Sequence, residues 1–274
     1  MTASIANAEE LQHSSILGLG VYRPERVVTN DEICRQIDST DEWIRVRSRI
    51  RNRRFAGPDE TVIDMAAGRD ALRASQVSAD QIGCERASEF VDLTDKSTAF
   101  IFADGAGAVV VGASSQAGIG PVEWGSDGSL AHVLAQELSW TEFRDNPTGP
   151  HPWVNINGPA VFRWATVEME KIARAALDRA GVTVEQLDAF IPHQANLRIT
   201  EAISKRPKLL PSTVVARDIV DAGNTSAASV PLAVETLLRT GRAHAGDTAL
   251  LIGFGAGLTY AAQVVTLPAA PDDP

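Results

Sequence analysis

Three short stretches hold residues whose types and spacing suit acyl or enolate chemistry. In Leu187-Asp188-Ala189-Phe190-Ile191-Pro192-His193-Gln194-Ala195-Asn196 an apolar run ends at a proline, and a histidine stands before a segment, 197–204, that reads as a helix. A histidine at the carboxyl end of a strand and the amino end of a helix sits where α/β proteins place their ligands. Asn224 is expected in the same setting, with a strand over 213–216 before it and a helix over 227–240 after it. Each residue by itself is an ordinary capping or loop residue. As a pair they say more, because a neutral imidazole N–H and a carboxamide N–H can converge on one developing oxyanion. The turn Gly255-Ala256-Gly257 can bring a backbone N–H, that of Ala256, close to a second oxyanion. Acyl transfer or enolate formation fits this set, which contains no nucleophile.

The elements that must position these residues read as α/β. A short apolar strand covers 15–22, followed by the turn Arg23-Pro24. Thr29-Asn30-Asp31-Glu32 and Ser39-Thr40-Asp41-Glu42 carry the cap-then-acid pattern of helix starts. A dense run of arginines follows (Arg45, Arg47, Arg49, Arg51, Arg53, Arg54), either a solvated face or a seat for phosphate groups. A helix is expected over 60–75, with Val62, Met65, Ala66, Ala71 and Leu72 on its apolar stripe. The polar stretch 83–88 is expected to pass without a strand into a hairpin over 98–111 that turns at Gly105-Ala106-Gly107. Strands over 120–125, 153–156, 248–254 and 258–265, and a long helix over 160–180 ended by Gly181, complete the pattern. The stretch 104–110 echoes 253–259, and two such hairpins half a chain apart suggest two related halves.

The bulk numbers bound the partners. The chain has 274 residues, 44% hydrophobic and 22% charged, enough for one large domain or two fused halves. A formal charge of -10 argues against a nucleic-acid or anionic-membrane surface. No apolar run is long enough to span a membrane, and the polar start, 1–15, has no secretory pattern. Cys34 and Cys84 make no disulfide framework, so a cytoplasmic location is expected.

Pro192-His193-Gln194-Ala195-Asn196, Gly223-Asn224-Thr225-Ser226-Ala227-Ala228-Ser229 and Gly253-Phe254-Gly255-Ala256-Gly257 resemble β-ketoacyl-[acyl carrier protein] synthase III of the thiolase superfamily. Asp41-Glu42-Trp43-Ile44, Phe102-Ala103-Asp104-Gly105-Ala106-Gly107 and Gly125-Ser126-Asp127-Gly128 match in the same order, and Tyr22-Arg23-Pro24-Glu25-Arg26-Val27-Val28 is most like actinobacterial members. The resemblance implies a five-layer αβαβα fold of two halves, 1–112 and 113–268, with a tail over 269–274. It implies a homodimer that joins an acyl-CoA starter to malonyl-[acyl carrier protein] with decarboxylation and uses no cofactor. It makes His193 and Asn224 the pair that stabilises the thioester enolate. Trp43 would stack on the CoA adenine with Arg47 and Lys96 nearby, and Asn196 and Arg198 would meet the phosphopantetheine carrier. Lys205, Arg206 and Lys208 extend positive charge towards an acidic carrier protein.

The sequence departs from that family in one large respect. The family's nucleophilic cysteine stands in an Ala/Gly-Cys-Ala-Gly-Phe motif at the start of a buried helix, where the helix terminus lowers its pKa. This sequence has no such motif, and neither Cys34 nor Cys84 has that setting. The join at Gly83-Cys84 reads as the loss of three central strands and their crossovers, roughly 60 residues at ordinary lengths. Such a loss uncovers apolar faces, so on stability grounds a stretch left out of the sequence is favoured over a true deletion completed by rearrangement or by a partner chain. Lys96 stands where the family has an arginine, and Arg49 where it has a glycine, which is strained if that position needs a positive φ. A catalytically inactive remnant that serves as a scaffold, or a related acyltransferase, are the competing readings.

Overall fold

The structure, a computed structural model, describes residues 13–60, 82–205 and 207–271. The first part of the chain contains β1 (His13–Tyr22), β2 (Val27–Thr29), α1 (Asn30–Ile33), α2 (Asp41–Ser48), β3 (Asn52–Arg54), β4 (Ile82–Arg86) and β5 (Asp104–Ser114). β5 runs between β1 and β4 and is antiparallel to both, and β2 and β3 form a separate ribbon. The second part contains β6 (Glu123–Ser126), β7 (Leu134–Gln136), α3 (Trp140–Asp145), β8 (Val154–Ile156), α4 (Gly158–Ala180), β9 (Ala189–Pro192), α5 (Leu197–Ser204), β10 (Val214–Val215), α6 (Ile219–Ala222), α7 (Ser229–Arg239), β11 (Thr248–Gly255) and β12 (Thr259–Thr266). Its main sheet has the order β10-β9-β11-β12-β6. The first three strands are parallel and the last two pair antiparallel, so the sheet is mixed rather than mainly parallel.

The helices follow from apolar spacing. In α4 the buried residues Val161, Ala165, Met169, Ile172, Ala173 and Ala176 recur every three or four positions and form one stripe. Asn157 caps its start by accepting the Ala160 N–H, and Gly181 ends it at φ 67°. That stripe, with Ile199 and Ile203 of α5, covers Phe190, Leu250, Ile252 and Val264 on one face of the five-stranded sheet. On the other face α7 lies between the two sheets, its Ala233, Leu237 and Leu238 packed among Leu19, Ala189, Ile191, Ala249 and Val265. Each such fully buried Leu or Ile contributes about 1.5–3 kcal/mol relative to exposure. The described residues thus form four successive layers: outer helices, sheet, α7, sheet. The helix expected over 60–75 lies, apart from Glu60, outside the described residues.

Three expectations are corrected. The stretch 83–88 was expected to contain no strand, yet β4 pairs with β5 from Ile82↔Ala108 to Arg86↔Asp104. Backbone pairing at a sheet edge tolerates polar residues. The expected turn at Gly105-Ala106-Gly107 lies inside β5, because the strand presses on α7: a Cβ at Gly107 would sit 2.2 Å from Pro231 Cγ. The 98–101 segment is a turn, not a strand. The Asp95 carboxylate accepts from the Ser97 N–H at 2.9 Å and the Thr98 hydroxyl at 2.7 Å, a local bonding pattern that competes with sheet pairing. The 253–259 stretch is a hairpin as expected, so its echo at 104–110 is one of wording and not of shape.

Beside α7 an apolar groove of about 430 Å³ is lined by Ile16, Val109, Val111, Val230, Leu251 and Val265. Val109 and Val111 are 37% and 53% exposed there.

Candidate active site

His193 follows β9 directly. Its backbone N–H continues the parallel ladder by donating to Ile252 O at 2.6 Å. The next residue fixes the loop: buried Gln194 donates from Nε2 to Pro192 O at 2.6 Å and accepts the Ile219 N–H at 3.2 Å. The imidazole Nδ1 lies 2.6 Å from Ser229 Oγ at the start of α7, and that oxygen also accepts the Gln194 N–H at 3.2 Å. We assign the Ser229 hydroxyl as the donor to Nδ1, the tautomer that leaves the ring proton on Nε2. Burial pushes the His193 pKa down to about 4, so the ring is neutral at physiological pH. Phe254 meets it edge-on at 5.3 Å and 76°. The result is a neutral N–H donor held from both sides.

Asn224 is placed by backbone bonds to the other part of the chain. Its N–H donates to Ile101 O at 2.9 Å, and its carbonyl accepts the Ala103 N–H at 2.8 Å. Gly223, at φ +74°, permits this approach, since a Cβ there would sit 2.9 Å from the Ala103 Cβ. The strand expected over 213–216 is β10, and the short helix α6 stands between it and Asn224, whereas His193 follows its strand directly, so the two polar residues arrive by different routes. The Asn224 Oδ1 accepts the Ser226 N–H at 2.9 Å, and that bond turns the amide so that Nδ2 is its free donor. Asn224 is buried and lines the same cavity as His193.

That cavity measures about 1340 Å³. Ala256, in the turn between β11 and β12, lies on its wall together with Phe254. At another part of the lining stand Trp43, Arg47, Lys96, Asn196 and Arg198, so all eight residues singled out in the sequence meet in one space. The Trp43 ring has the Arg47 guanidinium carbon 4.9 Å and the Lys96 ammonium 5.1 Å from its centroid, and Phe100 packs edge-on at 5.2 Å. Lys96 thus lacks a planar face yet stays over the indole as a cation. Asn196 caps α5 by accepting the Arg198 N–H, and its Nδ2 donates to Arg47 O at 3.2 Å, tying the end of α2 to the start of α5. Phe90, Phe102, Val154 and Ile156 give the cavity an apolar part.

The arginine run does not form a phosphate seat. Arg53 is fully buried against the Val28 and Thr29 carbonyls and the Asn30 side chain, and burial pushes its pKa down to about 10. Arg51 pairs with Asp221 at 2.7 Å, Arg45 with Asp41 at 2.8 Å, and Arg54 donates to Pro24 O at 2.7 Å. Of this run only Arg47 lines the cavity. Arg49 does adopt φ 65° at the C-cap of α2, the left-handed conformation in which a side chain is strained. Lys205 and Lys208 are exposed, and Arg206 lies outside the described residues.

Comparison with known proteins decides the family. A synthase III from Mycobacterium avium (strain 104), named mycobacterial beta-ketoacyl-[acyl-carrier-protein] synthase III, is 43% identical over 319 aligned positions, 92% of this chain and 95% of the relative. The chain belongs to the β-ketoacyl-[acyl-carrier-protein] synthase III family. The beta-ketoacyl-[acyl-carrier-protein] synthase III of Mycobacteroides abscessus is also 43% identical, over 97% of this chain and 98% of the relative. The family model for 3-oxoacyl-[acyl-carrier-protein (ACP)] synthase III matches residues 71–128, and that for its C-terminal part matches 177–267. Among solved structures, the priming β-ketosynthase of the R1128 polyketide pathway superposes with a TM-score of 0.90 at 38% identity, covering 94% of this chain and 97% of that one. The 3-oxoacyl-[acyl-carrier-protein] synthase III of Aquifex aeolicus VF5 gives 0.81 at 28%, covering 92% and 99%. The fold is therefore thiolase-like. Since 92% of 274 residues is about 250, some 65–70 of the 319 positions aligned with the M. avium synthase III have no residue here.

The residues that sequence reasoning missed are Ser229, Gln194 and Phe254 as supports of His193, and Phe100 beside Trp43. All but Phe100 stand inside the quoted synthase III motifs, but a serine near a helix start reads as a cap.

Proposed function

We propose that the chain acts in the β-ketoacyl-[acyl-carrier-protein] synthase III reaction, in which an acyl group from acyl-CoA is joined to malonyl-[acyl carrier protein] with loss of CO₂, at the start of fatty-acid or polyketide synthesis. Its own residues carry the decarboxylative half. The observation that supports this is the convergence of two oriented neutral donors, His193 Nε2–H and Asn224 Nδ2–H, on one cavity. When the malonyl carboxylate leaves, its bonding electrons move onto the α-carbon and the thioester oxygen. Two N–H donors at that oxygen stabilise the enolate more than the ground-state thioester. A protonated histidine is not needed, and burial keeps the ring neutral.

The pantetheine-bearing substrates enter past Trp43, Arg47, Lys96, Asn196 and Arg198, where cations suit phosphates and the indole suits a purine. Ala256 supplies a further backbone N–H. The acyl-holding half of the reaction needs a nucleophile, and the family's cysteine motif is missing from the sequence. The chain works as a cytoplasmic homodimer in this reading. Among the described residues no helix is long and apolar enough to cross a membrane.

The test is CO₂ release from labelled malonyl carrier protein. His193→Ala and Asn224→Ala should each lower it by about 100-fold or more, the scale of losing one oxyanion donor, with the circular dichroism spectrum unchanged. Undiminished release in both variants would refute the assignment.

A further inference from the structure

Away from the large cavity, four side chains form a buried polar cluster that the proposed reaction does not use. Arg23, the first residue after β1, reaches across to α7. Its guanidinium donates to Leu232 O at 3.0 Å and to Thr236 Oγ1 at 2.8 Å, and it pairs with the Glu235 carboxylate at 2.8 Å. Asp218, the residue before α6, completes the cluster by accepting the Thr236 hydroxyl at Oδ1, 2.7 Å away. The side chains of Asp218 and Glu235 are 10% and 8% exposed. The cluster thus ties the end of a strand in the first part of the chain to two helices of the second.

The two acids are not equally compensated. Glu235 has a second guanidinium, that of Arg239, at 2.8 Å. Among the described residues the cation paired with Asp218 is Arg23, at 3.7 Å, and it lies closer to Glu235. The other charges around Asp218 are engaged elsewhere. Asp221 in α6 pairs with Arg51 at 2.7 Å, and Arg217, next to Asp218 in sequence, faces Glu201 of α5 at 3.9 Å. An ionised carboxylate taken out of water without a close cation costs stability. Burial raises the Asp218 pKa above its ordinary value of 3.8; Arg23 and Thr236 pull it down by less, and Glu235 and Asp221 add to the rise.

We propose that the Arg23–Asp218–Glu235–Thr236 cluster is a proton-binding site that fastens the two parts of the chain together more firmly under mildly acidic conditions. The proton comes from solvent and settles on Asp218 Oδ1. The Asp218–Thr236 hydrogen bond then reverses, the carboxyl O–H donating to Thr236 Oγ1. The Thr236 hydroxyl turns to its next acceptor, Glu235 Oε2, at 3.5 Å, and Arg23 stays with Glu235. Each polar group keeps a partner, and one poorly compensated buried charge is removed. The folded chain holds this proton at a pH where the unfolded chain has released it. The contribution to stability is therefore complete below about 3.8 and is lost as pH rises through the higher, folded value. None of this draws on the roles given to His193 and Asn224, or on a thiol.

The experiment compares the full chain with Asp218→Asn, whose amide can donate to Thr236 as the protonated carboxyl does. At about pH 7.5 the variant should have the higher urea midpoint, by about 0.3 M or more, and the gap should close as the wild type takes up its proton towards about pH 4.5. Other titrating groups, His193 among them, are common to both chains and cancel in the difference. Carbon-13 NMR of the chain labelled at its aspartate carboxyls should show one carboxyl titrating above the rest, and that signal should be missing from the variant. A variant less stable than the wild type by a constant margin at every pH would make Asp218 an ordinary ion-pair partner and overturn the proposal, as would equal midpoints throughout. If the variant does not fold, the NMR titration of the unaltered chain decides: aspartate carboxyls that all titrate in the ordinary range, near about 4, refute it, and one that titrates above them upholds it.

Discussion

Ser229 is a single hydroxyl on which the proposed chemistry turns. In the assignment above it donates a hydrogen bond to His193 Nδ1 and accepts the Gln194 N–H, so it sets which imidazole nitrogen faces the cavity as a donor. Ser229→Ala leaves Nδ1 free to hold the ring proton, and a wrong tautomer costs turnover while leaving substrate affinity alone. We expect kcat for decarboxylation to fall about tenfold or more with KM little changed, and Ser229→Thr to restore most of it. The pH profile separates this from a loss of structure. Because the His193 pKa is held at about 4, wild-type activity should be flat from neutrality to near pH 5 and decline only towards pH 4; the variant should show the same limb beneath a lower plateau. Stability moves in the linked sense. The folded pKa lies below the ordinary histidine value of about 6.5, so the unfolded chain takes the proton first, and stability falls as pH drops from about 6.5 towards about 4 and then levels. His193 and Asn224 were legible in the sequence because polar residues between apolar segments mark strand and helix ends. Ser229 was not, because its role depends on a ring 36 residues away.

At the scale of elements, the eight-residue helix α2 shows what a local rule can and cannot foretell. Thr40 caps it and Asp41 and Glu42 fill its first turn, as their order implies. It holds Trp43 and Arg47 on the face that meets the cavity and ends at Arg49 with φ 65°. Arg49 is exposed, so Arg49→Gly relieves strain without removing packing. After the greater freedom of glycine in the unfolded chain is subtracted, a gain of about 0.5–1 kcal/mol is expected, read as a higher urea midpoint with unchanged slope. A lower midpoint would show that the arginine side chain contributes more than its backbone costs. The hairpin β11–β12 was equally legible, as apolar runs around a glycine turn. Legibility ended where side chains from elsewhere decided the backbone: the Asp95 carboxylate winds 97–98 into a turn, and Pro231 leaves room only for glycine in β5. The arginine run misled for the same reason, since the buried surroundings of Arg53 come from α1 and β2 and cannot be read from arginine density.

At the scale of the whole molecule, the layered fold was legible only through motif resemblance. No local signal states that α7 lies between two sheets, with Leu19 on one side and Ala249 on the other. The two sheet assemblies meet at a seam where Asn224 pairs in parallel with Phe102, and Arg51 N–H donates to Val220 O at 2.7 Å close by. The candidate donor is therefore itself a rung of that seam. Native-state hydrogen exchange should find the Asn224 amide protected to a degree comparable with Ile252 in β11, and exchange as fast as an exposed loop amide would contradict the arrangement. The consequence reaches past chemistry. If Asn224 stabilises the enolate as proposed, a chain with that amide stitched into the junction cannot open the junction and stay active. Heating should therefore extinguish turnover at the temperature where the seam parts, even while the helices packed on the five-stranded sheet still give their full circular dichroism, so the active site acts as a built-in gauge of whether the two sheets are docked.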